Sequence, residues 1–524
     1  MIPDGHRLSW ARVLVALGVV GVLVVAVLGA DRWREELTAL RGDDSSSTFS
    51  GYVDVTATPR YAFESPESDA TKDVVLSFVV ADPEEPCTPT WGGFHDLDGA
   101  AAELDLDRRV ALLRERGGDV TVSFGGLAND ELATSCQDPE KLLAAYRAVV
   151  ERYDLDTVDL DVEDDDLADH EASARRSTAL AALQAERAKQ DRPLDVWLTL
   201  PAATAGLTED GLTVVRDALA AGVDLTGVNA MTMNYGGSRE SDESMPEATE
   251  RTLKAVHEQV GDAFDAAGVK PQGGAWKHVG MTPMAGQNDV RSDVVTLDDA
   301  RELAALADDL GVGRVSLWSL NRDRACGVNY PDTHVVSDAC SGVAQDGETF
   351  AEVLAAGADA HSGSDRDASA SEPTPEPTTT ARTPGDDEPV DDPETSPYRI
   401  WNEEAAYPEG TKVVWHRQVY EAKWWTSGDL PDDPVATAEQ TPWQLLGPVL
   451  PGDRPAPKLT LPAGTYPEWS RTGVYRQGAR VLVDGVPYRA KWWTEADHPE
   501  VSESNPDASP WVPLTAEEIR KVLD

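Results

Sequence analysis

The chain has 524 residues, too many for one ordinary hydrophobic core, so two or more domains are expected. Its formal net charge of −49 excludes nucleic-acid binding as a property of the whole surface, because phosphate groups would be repelled. A neutral or cationic polymer is the more compatible partner.

The first segment is apolar and uncharged from Val13 to Ala30, which is close to the shortest length that spans a membrane. Leu28 is large for the position three residues before a cleavage site, so we prefer an uncleaved signal anchor. A cleaved signal peptide is the alternative. In both cases residues 1–47 are expected to direct export, and membrane anchoring through residues 13–30 is predicted.

From about Gly51 the chain alternates β-rich runs with helical stretches, which is typical of βαβ units. Helices are expected at Leu142–Tyr153, Ser173–Gln190 and Leu297–Leu310. The predicted strands are Tyr52–Thr56, Val74–Val80, Val120–Phe124, Val158–Glu163, Val196–Leu200, Gly227–Met233, His278–Thr282 and Val315–Ser319. Eight strands predict an α/β fold, a (β/α)8 TIM barrel over residues 48–345, with its chemistry at the strands' C-terminal ends.

The fourth predicted strand carries an unusual acidic pattern, Asp156-Thr-Val-Asp-Leu-Asp-Val-Glu163. Its apolar residues share one face of the strand, so Asp159, Asp161 and Glu163 share the other. Stacked carboxylates repel each other, and such an arrangement indicates a functional site. A solvated acidic run is the alternative, but interleaved Val and Leu residues favour a strand.

This run resembles the DGxDxDxE signature of glycoside hydrolase family 18, the chitinases, with Thr157 in place of the usual Gly. Val122–Gly126 resembles the family's SxGG strand, and Val315–Leu320 resembles its last barrel strand, which ends in a Trp. The resemblance implies a retaining hydrolase of β-1,4 bonds between N-acetylglucosamine residues. It implies no metal and no cofactor.

The resemblance also assigns catalytic roles. Glu163 would be the general acid and then the general base, while Asp161 would orient the substrate's acetamido group, whose oxygen is the nucleophile. Asp159 would hold or share a proton with Asp161. The residues themselves agree, because neighbouring carboxylates do not ionise together easily, and such a cluster can keep Glu163 protonated near neutral pH.

Further substrate-binding residues are expected on neighbouring strands. The Met-Asn-Tyr run matches the family's strand-six motif, with Asn where many relatives carry Asp and Tyr as the phenol donor. Trp318 resembles the Trp that floors the cleft, although a core position is the alternative. Trp91 is equally compatible with a substrate platform and a loop anchor. The expected substrate-binding residues are Ser123, Gly126, Met233, Asn234, Tyr235, Trp318 and Trp91, with a weaker assignment for Asn288 and Asp289.

Asp164, Asp165 and Asp166 follow the acid directly, where relatives commonly carry smaller residues. They would either raise the proton affinity of Glu163 or point to solvent.

The chain has four cysteines, none in a CxxC pair, as expected of an exported protein with disulfides. Cys87 and Cys136 follow neighbouring strands and are predicted to pair, and Cys326 and Cys340 are predicted to close a local loop. Spacing alone leaves three connectivities open.

Beyond the barrel, residues 346–398 turn to Ser, Thr, Pro and acidic residues, and a disordered linker is predicted. Two similar segments follow at a constant offset of 68 residues, 399–449 and 467–516, separated by a short linker at 450–466. Each is expected to be a small all-β module.

Both segments resemble the short carbohydrate-binding modules of bacterial chitinases and cellulases, through their Tyr-x-x-Gly-x-x-Val and Ala-Lys-Trp-Trp-Thr motifs. Adjacent strand residues face opposite sides, so one Trp of each pair is predicted to be exposed and one buried. The expected carbohydrate-binding residues are Tyr420, Trp424, Trp425, Tyr488, Trp492 and Trp493.

The sequence therefore predicts an exported or membrane-tethered chitinase that acts on chitin or a related N-acetylglucosamine polysaccharide, and a monomer is expected. An endo-β-N-acetylglucosaminidase on N-glycans is one alternative. A non-catalytic chitin-binding protein is another, although the complete acidic signature argues against it.

Overall fold

The computed structural model describes residues 47–359, 391–433, 440–455, 459–499 and 509–523. Its largest part is a closed barrel of eight parallel strands in which β1 pairs with both β8 and β2. The strands are β1 (Thr48–Asp54), β2 (Asp73–Ala81), β3 (Asp119–Gly125), β4 (Thr157–Asp161), β5 (Asp195–Ala203), β6 (Leu225–Met231), β7 (Val279–Thr282) and β8 (Arg314–Leu317). The predicted (β/α)8 barrel is confirmed.

Helices surround the barrel in the order that the βαβ pattern predicts. They are α1 (Leu97–Glu103), α2 (Leu106–Glu115), α3 (Leu132–Ser135), α4 (Pro139–Arg152), α5 (Asp164–Ala168), α6 (His170–Ala188), α7 (Glu209–Ala220), α8 (Met245–Ala267), α9 (Leu297–Leu310) and α10 (Phe350–Asp359). Short strands lie at Pro89–Trp91, His95–Asp96, Gly206–Leu207, Gly286–Gln287 and Val294–Val295. Single 3-10 turns lie at Asp69–Thr71, Gly236–Ser238, Ala275–His278 and Leu320–Arg322.

Local sequence signals set the ends of these helices. The Thr296 side chain caps α9 in a reciprocal capping box with Asp299, and Gly311 ends the helix in the left-handed conformation. The expected bounds of α9 are therefore those observed.

Helix α10 corrects one predicted boundary. The linker was expected to begin at residue 346, but Phe350, Ala351 and Leu354 of α10 join the hydrophobic core of the barrel. Burial of these three apolar side chains keeps the segment folded on the barrel, although the composition of the chain around it has already changed. The middle of the predicted linker, residues 360–390, lies outside the described residues, and so does the apolar segment 13–30.

The C-terminal region contains two similar β units, here called the first unit (residues 398–455) and the second unit (residues 459–523). The first has an antiparallel sheet of β9 (Lys412–Trp415), β10 (Gln418–Ala422) and β11 (Trp443–Pro448). The second has β12 (Arg480–Val483), β13 (Val486–Ala490) and β14 (Trp511–Pro513), followed by α11 (Ala516–Leu523). A two-stranded pair accompanies each sheet, Ala406–Tyr407 with Thr426–Ser427 and Val474–Tyr475 with Thr494–Glu495.

Helix α11 extends the second unit beyond the expected end at residue 516. Ile519 of this helix packs with Leu482 and Leu514 in a small core. The helix is thus part of the folded unit.

Both predicted disulfides are present, Cys87–Cys136 between the loops that follow β2 and β3, and Cys326–Cys340 after β8. Within the described ranges, no helix combines the length and the apolar character that a membrane crossing requires.

Candidate active site

The acidic run begins inside the barrel and continues past the end of β4. Asp159 and Asp161 are buried, while Glu163 lies two residues beyond the strand's last residue and occupies the N-cap position of α5. The predicted strand therefore extended two residues too far. Glu163 remains at the C-terminal end of the barrel, where barrel enzymes place their chemistry.

Two glycines at the end of β3 allow the backbone to approach Asp161 closely. Gly125 has a φ of +99°, and a Cβ there would lie 2.0 Å from the Asp161 carbonyl oxygen. The Gly126 backbone N–H, also in a left-handed conformation, donates to that same oxygen over 2.9 Å. The Ser-x-Gly-Gly segment thus positions the neighbouring acidic strand.

Asp159 is held by donors on both carboxylate oxygens. Oδ2 accepts from Ser123 Oγ at 2.7 Å and from the Tyr52 hydroxyl at 2.9 Å. Oδ1 accepts from Thr199 Oγ1 at 2.7 Å and from the Arg314 guanidinium at 3.1 Å. Every partner is buried, so this arrangement stabilises Asp159 as an anion inside the barrel.

Asp161 has the opposite environment. Its Oδ1 atom is buried without a hydrogen-bonding partner. Burial raises the pKa of the Asp161 carboxyl well above its usual range, and the negative charges of Glu163 and Asp159 raise it further. The Asp161 carboxyl therefore favours its neutral form more strongly than an ordinary Asp does, and its Oδ1 atom is available to a ligand.

Glu163 is half-buried, and burial is the main reason that its pKa is raised to about 7. The negative charges of Asp164 and Asp289 raise this pKa further. A carboxyl group with such a pKa carries its proton near neutral pH, which a general acid requires.

The three Asp residues after Glu163 behave differently from one another, and Asp166 follows neither of the two expected behaviours. Asp164 and Asp165 are exposed, and Asp164 raises the pKa of Glu163. Asp166 is buried and accepts the Glu131 backbone N–H over 2.8 Å, so it connects α5 to the loop after β3.

The loop after β7 reaches the same site. Asn234 Nδ2 donates to Asp289 Oδ2 over 2.7 Å, and the Asn288 side chain accepts the Asn234 backbone N–H over 3.2 Å. Because Asp289 also acts on the pKa of Glu163, these contacts bring the end of β6 and the loop after β7 together near the acid. The weaker expectation that Asn288 and Asp289 line the cleft agrees with this placement.

Tyr235 lies elsewhere. Its ring belongs to the hydrophobic core, and its hydroxyl lies 3.2 Å from Thr249 Oγ1 on the outer helix α8. Burial raises the pKa of this phenol to about 12. The structure thus does not bring the Tyr235 hydroxyl to the carboxylates, whereas Met233, two residues before it, is half-buried just after β6.

Trp318 follows the last residue of β8 and is half-buried. Its ring stacks on Phe78 at 5.4 Å between centroids and meets Tyr52 edge-on at 5.9 Å. Since Tyr52 donates to Asp159, the aromatic group is continuous with the acidic site. This position agrees with a ring at the floor of the cleft.

Trp91 is not a substrate platform. The residue is 0% exposed, and its indole N–H donates to the Tyr153 hydroxyl over 2.9 Å. A buried ring with its only polar atom satisfied anchors the loop after β2 to α4. The loop-anchor interpretation is therefore correct.

The residues that surround Asp159 on other strands were not among the predicted site residues. Tyr52 lies on β1, Thr199 on β5 and Arg314 at the start of β8. The signal in the sequence was Arg314, a cation at the start of an otherwise apolar barrel strand. A buried cation needs a buried anion, and Asp159 was the candidate.

The tryptophan pairs of the two β units contradict the expectation of one buried and one exposed ring. Trp424 and Trp425 are 44% and 57% exposed, and Trp492 and Trp493 are 45% and 58% exposed. Both pairs lie in bends between strands, where the alternation of a β-strand does not apply. Each unit thus presents two adjacent rings to solvent.

The tyrosines predicted beside these pairs are core residues. Tyr420 packs with Trp443 in the first unit, and Tyr488 packs with Trp511 in the second. They build the units and do not contribute to an exposed surface.

No protein-family model matches the chain. A probable bifunctional chitinase/lysozyme of Escherichia coli is 34% identical over 274 residues, which cover 49% of the chain and 29% of that protein. Endochitinase 11 of Metarhizium anisopliae is 34% identical over 229 residues, which cover 41% of the chain and 42% of that protein. The chain thus spans less than half the length of either relative.

The catalytic domain of a hyperthermophilic chitinase from Pyrococcus furiosus has a similar structure, with a TM-score of 0.50 and 26% sequence identity. The match covers 60% of this chain and 95% of that domain. The chain is therefore similar to chitinases in sequence and to a chitinase catalytic domain in fold.

Proposed function

We propose that this protein is a glycoside hydrolase that cleaves the β-1,4 bonds of chitin with retention of configuration. The proposal rests on the different surroundings of the three carboxyl groups at the end of β4. Asp159 is paired with Arg314, Asp161 has a raised pKa and a buried oxygen without a hydrogen-bonding partner, and the pKa of Glu163 is raised to about 7. The similarity to chitinases supports the same conclusion.

In this mechanism Glu163 protonates the leaving glycosidic oxygen while the acetamido oxygen of the sugar attacks the anomeric carbon. Asp161 hydrogen bonds to the acetamido group and orients it. Asp159 lies behind Asp161 and raises its pKa, so it helps Asp161 to hold the proton. Glu163, now ionised, then removes a proton from the water that opens this intermediate.

The stereochemistry of the first product tests the proposal. Hydrolysis of a soluble N-acetylglucosamine oligosaccharide, followed by proton NMR before mutarotation, should show the β-anomer first, because two inversions give net retention. An initial α-anomer would contradict the participation of the acetamido group. No hydrolysis by the intact protein would contradict the proposed function itself.

The pKa of Glu163 predicts how activity depends on pH. The acid must be protonated in the free enzyme, so kcat/KM should fall as the pH rises through about 7. Asp289→Asn removes a negative charge that favours protonation, so the pKa of Glu163 and the alkaline limb should move to lower pH. Burial is the larger cause of the shift, and we expect a change of less than about one pH unit. Asp265→Asn, on the exposed surface of α8, is the control. An alkaline limb that stays in place in Asp289→Asn would contradict this assignment.

The exposed tryptophan pairs are proposed to bind chitin, since flat rings stack on the faces of sugars. Replacing Trp424, Trp425, Trp492 and Trp493 with Ala in the full chain should weaken binding to solid chitin at least about tenfold. Turnover of soluble oligosaccharides should remain unchanged, because none of these rings touches the barrel site. The matched control replaces the exposed residues Glu403 and Arg471 with Ala. Equal loss on solid and soluble substrates would contradict a separate binding role.

Export is part of the proposal. The two disulfides are consistent with an oxidising compartment. We infer that residues 13–30 hold the protein at the outer face of the cell membrane, with release after cleavage as the alternative.

A further inference from the structure

The first unit contacts the barrel, and the contact centres on Asp105. This residue precedes α2 at the N-cap position, where an Asp side chain usually accepts a backbone N–H of its own helix. Asp105 makes no such bond and has a φ of +53°. Its buried carboxylate instead accepts the Tyr398 hydroxyl over 3.2 Å and pairs with the Lys412 ammonium group. The buried Asp105 carboxylate of the barrel is thus paired with a cation of the first unit.

One turn further along α2, Arg108 makes a second set of contacts. Its guanidinium donates to Asp453 Oδ2 over 3.0 Å and to the Pro448 carbonyl oxygen. Arg108 is buried, and Asp453 is half-buried. Two buried charges of the barrel, of opposite sign, are therefore both neutralised by the first unit.

The backbones of the two parts also meet. Strand β11 packs on α2, and a Cβ at Gly447 would lie 2.5 Å from the Arg108 carbonyl oxygen. Gly447 has a φ of +139°, which side chains disfavour. Glycine is thus required at this contact.

The second unit differs at two of these positions. At the 68-residue offset, Thr515 stands where the first unit has Gly447, and Lys521 stands where it has Asp453. Thr515 begins α11, and this helix covers Leu482 and Leu514 with Ile519. Helix α11 covers one edge of the second unit. The equivalent edge of the first unit packs against the barrel instead.

We propose that the first unit is a docked extension of the barrel, held by Asp105–Lys412 and Arg108–Asp453. The second unit keeps Tyr466 and Arg480 at the positions of Tyr398 and Lys412, but it has Thr515 and Lys521 in place of Gly447 and Asp453, so it cannot make the same contact with α2. Helix α2 runs back along the barrel, with Arg114 paired to Asp119 at the start of β3. Its first turn therefore lies toward the end of the barrel where the strands finish. The docked unit holds Trp424 and Trp425 in a constant position relative to the cleft.

Distance measurements between spin labels test the docking in the full chain without any substrate. All four cysteines form disulfides, so introduced cysteines label specifically. The pair Glu151→Cys and Ser427→Cys, on exposed positions of the barrel and the first unit, should give a single narrow distance distribution. The pair Glu151→Cys and Glu115→Cys within the barrel shows the width expected of a rigid body.

The variant that combines Lys412→Met with Asp453→Lys, the second substitution copying the second unit, should at least double the width for Glu151–Ser427. It should leave the Glu151–Glu115 width unchanged. A distribution in the parent chain that is already broad would overturn the proposal, and so would a narrow one in the variant. If the double variant fails to fold, Arg108→Ala alone provides the same comparison.

The consequence for chitin rests on the proposed function. The undocked variant should lose several-fold in hydrolysis of solid chitin, while its affinity for chitin and its turnover of soluble oligosaccharides stay the same. If the variant hydrolyses solid chitin as fast as the parent chain although its distance distribution is broadened, docking does not contribute to the hydrolysis of solid chitin. Absence of all hydrolysis in the parent chain would concern the proposed function and leave the distance result intact.

Discussion

Replacing Glu163 with Gln is expected to lower the turnover of a soluble chitin oligosaccharide by about 10²–10⁴-fold. Glutamine has nearly the same shape but can neither deliver a proton to the leaving oxygen nor remove one from water. The side chain is half-buried at the N-cap of α5 and carries no cap hydrogen bond, so the fold should be unaffected. Initial rates on the purified full chain, with thermal unfolding recorded in parallel, measure the effect.

Asp165→Asn is the matched control, since this exposed carboxylate lies two residues away. It should retain activity within about twofold, as expected of a surface substitution away from the site. A Glu163→Gln variant with activity close to that of the parent chain would remove Glu163 from the mechanism. Binding without hydrolysis in both proteins would favour a non-catalytic chitin-binding protein.

Replacing Arg314 with Met is expected to lower the free energy of unfolding of the barrel by about 3–5 kcal/mol. The guanidinium is buried and donates to Asp159, whose carboxylate has no exposure to solvent. Removing the cation leaves an uncompensated charge inside the barrel. Chemical denaturation followed by tryptophan fluorescence measures the change.

Two comparisons separate this effect from simple loss of volume. Arg301→Met breaks exposed ion pairs on α9 and should cost at most about 1 kcal/mol. Adding Asp159→Asn to Arg314→Met removes the stranded charge and should recover part of the stability. A loss in Arg314→Met no larger than that in Arg301→Met would show that the buried pair contributes little.

The barrel was predictable because its signals are local. Eight apolar runs alternate with helical segments, and several helices carry their own start and stop residues, as Thr296 and Gly311 do for α9. The acidic run was predictable for the same reason, since a period of two along β4 places Asp159 and Asp161 on one face. Trp91, by contrast, could be read either way, because one aromatic residue in a loop carries no periodicity.

The error at the tryptophan pairs has a geometric cause. Alternation predicts burial only within a strand, and Trp424 and Trp425 lie in a bend after β10. The Tyr235 hydroxyl was assigned to the cleft from its motif, but its contact with Thr249 depends on how α8 packs. Neither the exposure of the tryptophan pairs nor the position of the Tyr235 hydroxyl can be predicted from the neighbouring residues in the sequence.

The sequence by itself determined the order of strands and helices, the acidic face of β4, and the repeat at the C-terminus. These features follow from short-range periodicity and from spacing along the chain. Only the tertiary structure decided which groups meet across the barrel and across its surface. Arg314 neutralises Asp159 from 155 residues away, and Lys412 neutralises Asp105 from 307 residues away. Such pairs form because burial makes an uncompensated charge costly, and the partner that satisfies it is fixed by packing and not by distance along the chain.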